Sequence, residues 1–146
     1  MKTHTIIMML TLLLVGLVIG CSSSPTSTPS TILNHENINV RYVEPISESE
    51  ARKLAEFVFE YLGGADSGGG SFHLSLGQRQ EIYEIRAESR EGLQLDTLRP
   101  WAVGFACAVE DIVFVDRKVD IIFIEIEATS EEDWLRSKIV VREMCR

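Results

Sequence analysis

Histidine is scarce in this chain, and the chemistry that depends on it is correspondingly limited. The sequence has 3 histidines in 146 residues. No His-Glu-x-x-His pair occurs, and no serine stands in a nucleophile-elbow setting. His35 falls beside a polar spacer, and His73 on the polar face of a predicted strand, where it reads as a surface residue. Cysteine is equally sparse: Cys21, Cys107 and Cys145 form no Cys-x-x-Cys motif, which argues against structural zinc. The acidic group Glu125, Glu127, Glu131, Glu132 and Asp133 lacks the spacing and glycine of an EF-hand, so no metal site is expected. Glycine-rich residues 63–71 lack the lysine of a phosphate loop and read as a flexible connection. Basic residues are in deficit, 14 Lys and Arg against 22 Asp and Glu. Such an acidic chain repels phosphate backbones, and nucleic acid is not an expected partner. No catalytic residue and no cofactor can be named from these patterns.

What is present begins at the amino terminus. Residues 1–20 have the layout of a secretory signal: Lys2, an apolar run from Ile6 to Ile19 broken only by Thr11 and Gly16, and small Gly20 at the cut. The run is shorter than the ~20 residues of a spanning helix. Val18-Ile19-Gly20-Cys21 resembles the lipobox of bacterial lipoproteins. The resemblance covers residues 1–21 only. It implies that Cys21 receives a diacylglyceryl group, becomes the new amino terminus and anchors the protein to a membrane. Ser22 after the cysteine resembles outer-membrane sorting in a two-membrane envelope; otherwise the outer face of the cytoplasmic membrane is expected.

Residues 21–31 are rich in Ser, Thr and Pro and read as a lipidated, disordered tether. Residues 32–146 then form a single domain, of a size that sustains its own core. The net charge is −8, and loss of Lys2 with the leader makes it one unit more negative. The domain is therefore expected to stand off anionic headgroups on its tether.

Ile38, Val40 and Tyr42 alternate with polar residues as in a strand. Ser47 to Leu62 reads as a helix: Ser47 and Glu50 make a capping box, Ala51, Leu54, Ala55, Val58, Tyr61 and Leu62 share a face, and Gly63-Gly64 stop it. Phe57 and Phe59 widen that face, which suggests a helix gripped by a curved sheet. Phe72, Leu74 and Leu76 alternate as a strand. Residues 78–90 are ambiguous, with strand preferred through Tyr83, Ile85 and Ala87. Residues 92–100 read as a connection and 101–115 as an apolar strand. Val119–Ala128 is the clearest strand. An acidic loop and a strand over Leu135–Glu143 follow, with acids and bases placed for cross-strand pairing. Trp101 and Trp134 fall near strand ends.

The fold class is α+β, with one N-terminal amphipathic helix packed on a coiled antiparallel sheet of four to five strands. This order resembles the cystatin-like layout. The Gln-x-Val-x-Gly segment of inhibitory cystatins is absent, so protease inhibition does not carry over. A helix at 78–90 turns the expectation to a split α/β plait. Two functions fit. One is a non-enzymatic envelope lipoprotein whose sheet or helix edge binds another envelope protein. The other is a small-ligand-binding or enzymatic domain with a pocket between helix and sheet.

Cys107 and Cys145 are a candidate disulfide, since an exported chain meets oxidising conditions. A meander places them as second neighbours, roughly 9–10 Å apart, beyond the ~7 Å limit for a bridge. A bridge therefore needs the last strand to curl past the sheet edge, or Cys107 to lie on a helix over it. Otherwise both thiols stay reduced.

Overall fold

A computed structural model describes residues 28–66, 68–78, 81–88, 94–125 and 130–146. The leader, Cys21 and most of the Ser/Thr/Pro tether lie outside the described residues. The chain is α+β, as expected, with six strands and three α-helices among those residues. The strands are β1 (Ser30–His35), β2 (Ile38–Val43), β3 (Gly70–Leu76), β4 (Ile82–Glu88), β5 (Lys118–Ile124) and β6 (Ile139–Met144). The helices are α1 (Glu48–Tyr61), α2 (Leu95–Ile112) and α3 (Glu131–Arg136).

The strands lie side by side in sequence order, β1-β2-β3-β4-β5-β6. β1/β2, β3/β4 and β5/β6 are antiparallel; β2/β3 and β4/β5 are parallel. A parallel neighbour needs a crossover, and α1 and α2 supply the two. This corrects the expectation of an antiparallel sheet of four or five strands under one helix. β1 begins inside the stretch that composition assigns to the tether. Ser30 accepts a hydrogen bond from Arg41 (2.7 Å).

α1 forms as its local signals dictate. The Ser47 hydroxyl accepts from the Glu50 N–H (3.3 Å), and the Glu50 carboxylate accepts from the Ser47 N–H (2.7 Å). Ala51, Leu54, Ala55 and Val58 are buried, and Gly63 follows at φ 99°, open to glycine without a Cβ penalty. The wide apolar face has a different cause from the curved sheet expected. Phe57 and Tyr61 meet Phe105 of α2 at ring separations of 5.9 and 5.2 Å. Phe57 and Tyr61 serve a helix–helix contact, whereas Phe59 meets His35 of β1 edge-on at 5.6 Å.

Residues 101–115 are the main departure. They belong mostly to α2, and the expected connection at 92–100 is where that helix begins. Leu98, Ala102, Phe105, Ala106 and Val109 form its buried stripe. The segment is apolar on two sides because it packs on the sheet and on α1 together. Both helices cover the same face, and their buried residues join Val40, Leu74, Ile85 and Ile121 in one core. Trp101 is on α2, stacked on Phe105 at 5.0 Å. The Gly-rich loop is more constrained than a flexible connection at its end. Gly69 has φ 69°, and an added Cβ there collides with the Asn37 carbonyl.

Cys107 on α2 is bridged to Cys145, with Cα atoms 4.6 Å apart. The helix lies over β5 and β6, so the bridge crosses from helix to sheet and not between strands.

Candidate functional site

Among the described residues, no long helix covers the second face of the sheet. Its residues alternate with the core residues along each strand, and the register sets them in two rows. Arg41, His73, Arg86, Ile122 and Arg142 stand opposite one another across β2 to β6. Ser75, Glu84 and Asp120 form the next row across β3 to β5. A mainly basic row therefore faces an acidic one, two residues along each strand.

The rows are cross-linked. Arg142 donates to Asp120 (2.5 Å) and to Glu84 (3.0 Å). Arg86 donates to Glu84 (3.1 Å) and to the Trp134 carbonyl (3.1 Å). The expected pairing across the last hairpin is thus present in Arg142–Asp120, and also in Lys138–Glu125 (3.0 Å).

α3 covers part of this face. The sequence reads as an acidic loop running into a strand; instead Ser130 caps a short helix through a capping box with Asp133. The helix drops Trp134 onto Ile122 and Ile124. Trp134 is buried and stacks on His73 at 5.9 Å. His73 Nε2 lies 2.6 Å from a Glu131 carboxylate oxygen. So His73, expected at the surface, is fully buried. The polar strand face is not the wet face, because a helix distant in sequence closes over it.

Beside α3 the face stays open as a groove of about 1040 Å³, with Ser75, Glu84, Arg86, Asp120, Leu135 and Arg142 among its walls. Its floor is charged and largely dry. Asp120 is 3 % exposed and Arg86 9 %. Asp120 Oδ1, Arg86 Nε and Glu131 Oε2 are buried with no hydrogen-bond partner among the described residues. Burial pushes the Asp120 carboxyl above its ordinary range, against the hydrogen bond and charge of Arg142. Such unpaired groups are uncommon in folded proteins and call for a reason.

The sequence-predicted site residues separate here. Cys107 and Cys145 come together on the helix-covered side, away from the groove. The groove residues were not singled out from the sequence. Their signal was the period-two run Glu84, Arg86, Glu88, with His73 and Ser75 beside it. Among the described residues no cluster of three or more potential metal ligands occurs, and no helix is long and apolar enough to cross a membrane. No protein-family model, curated protein or solved structure matches this chain.

Proposed function

We propose that this protein is an exported domain, held at a membrane by lipid on Cys21, that binds another envelope protein through the groove on the charged sheet face. The lipobox-like Val18-Ile19-Gly20-Cys21 supports the anchor, with the outer membrane its destination where the source has two. The groove carries the binding reading. Asp120 and Arg86 set charges of opposite sign on its wall, which a partner's polar groups can match. The main core fills most of the helix–sheet interface, and a smaller pocket of about 640 Å³ lies at its edge between α1, Tyr83 and residues 112–117. A polar small ligand in the charged groove is the second reading, supported by the same two residues.

Photo-crosslinking in the source cell tests the choice. A crosslinker at Gln78 or Leu135, on the groove wall, should give one discrete protein adduct, and Arg142→Glu should abolish it. A crosslinker at exposed Arg52 on α1 should give none. Adducts of equal yield from both faces would overturn the assignment. Mass spectrometry of the membrane fraction tests the anchor: residues 1–20 should be missing and Cys21 diacylated.

A further inference from the structure

The strand register puts several chain turns at one end of the sheet. Ser30 lies opposite Val43, Leu76 opposite Tyr83, Ile82 opposite Lys118, and Asp120 opposite Met144. The tether therefore enters at the same end where α2 runs into β5. Residues 113–117 make that connection, and they are firmly held. Phe114 stacks on Tyr83 at 4.1 Å. The Arg117 N–H donates to the Phe114 carbonyl (2.9 Å). Glu110 accepts from the Val119 N–H (2.9 Å) and from Lys118 (3.0 Å). Asp116, at φ 66°, reverses the chain.

This fixed turn holds two apolar side chains out in water. Ile112 is 65 % exposed and Val115 61 %, the highest values among the exposed large apolar residues. Neither closes the core, which Val113 and Phe114 serve from the same turn. The tether length decides what they face. Eight residues lie between Cys21 and Ser30, and fully extended they span ~30 Å. From Ser30 to Lys118 is four strand spacings, ~19 Å. The turn thus hangs within reach of any bilayer that holds Cys21, while the opposite end of the sheet, with Ile139, lies a strand length further away.

We infer that the turn bearing Ile112 and Val115 docks on the lipid bilayer and fixes the domain's orientation there. This rests on the proposed lipid at Cys21. The occupant is the acyl–headgroup boundary of the same membrane that holds the tether. A single anchor makes the contact intramolecular, so two apolar side chains suffice where they would not recruit a free protein. Arg117 can point its charge to the headgroups, while Lys118 is held by Glu110 and the acids Asp111 and Asp116 stand beside the two apolar residues in the chain. Glu44, Glu48 and Glu81 share this end, so anionic headgroups are not what holds it, and the contact should persist in a zwitterionic membrane. The acidic domain then meets the bilayer at this one point, in place of standing clear of it.

The test uses full-length lipidated protein in phosphatidylcholine vesicles. Val115→Cys carries a nitroxide in one sample, Ile112→Cys in a second, and Ile139→Cys, at the far end, in a third. The accessibility of each label to oxygen is compared with that to a water-soluble nickel chelate, and the mass of Cys21 is read on the same samples. The expected result is a several-fold higher oxygen-to-nickel ratio at 112 and 115 than at 139. Equal ratios with lipid present on Cys21 overturn the docking and leave the anchor standing. Cys21 without lipid overturns both.

Discussion

On one face of the sheet, Val40, Leu74, Ile85 and Ile121 lie under two long helices. On the other, Ser75, Glu84 and Asp120 lie under part of one short helix and an open groove. The first face is dry and apolar, and its contacts contribute stability in proportion to the area they bury. The second is nearly as dry at its floor but charged. Buried ion pairs are weak contributors, because desolvation offsets most of their attraction. The same strands therefore present one surface suited to holding the fold and one whose ion pairs add little to it.

Removing the staple on the apolar face should have the largest effect. Cys107→Ser with Cys145→Ser opens a loop with a sequence separation of 38, and the loop-entropy model gives about 4 kcal/mol of lost stability. Urea unfolding of the two proteins measures it. A loss below ~1 kcal/mol would show that α2 is held by packing alone.

Next is Trp134→Ala, which empties the small cluster on the charged face. The expected cost is about 3 kcal/mol, with hydrogen exchange accelerated in α3 and little changed in α1. If protection falls equally in both, the two faces are one cooperative unit and the contrast fails.

Tyr83 is on the apolar face but carries a polar tip bonded to Glu50. Burial, then that bond, push its phenol from 10.0 to about 12. The folded protein keeps this proton while the unfolded chain releases it, so stability should fall as pH rises from 10 towards 12. Tyr83→Phe should cost about 1 kcal/mol at neutral pH and flatten that alkaline loss. Urea midpoints measured across the window show whether it does.

The smallest change is expected at Asp120→Asn, within about 1 kcal/mol at neutral pH, because burial already disfavours the charge that Arg142 offsets. Its raised pKa means that the native acid gains stability as pH falls towards the ordinary carboxylate range, and the asparagine should lose that slope. A large loss at pH 7 would make Asp120 a structural residue and weaken its assignment to binding.

Local signals were legible in the sequence, and tertiary ones were not. α1 could be read because its cap, its apolar period and its glycine stop all lie within residues 47–64. β2 and β3 could be read from period two; β4 was only the preferred of two readings, because helix formers stand among its alternating residues. α2 reads as a strand because burial on two sides erases its polar face. Its stripe Leu98, Ala102, Phe105, Ala106 and Val109 was nonetheless visible, and the run was long for a strand. His73 and Glu84 could be placed on a polar strand face, but nothing near them reports that Trp134 lands there. The Ser130–Asp133 capping box was the available sign of a helix. The disulfide stayed open for the same reason, since it depended on which element carried Cys107.

The strand order has a bearing on how the chain can assemble as it is made. Each new strand is added beside the one before it. No strand has to wedge between two that are already paired, so no finished ladder is broken to admit a later one. A chain that emerges across the membrane with β1 leading lets the sheet grow from β1 outward, hairpin by hairpin. Each crossover helix would settle as its second strand arrives. Cys145 follows β6, so the bridge to Cys107 closes only after all six described strands have been made and locks a completed sheet.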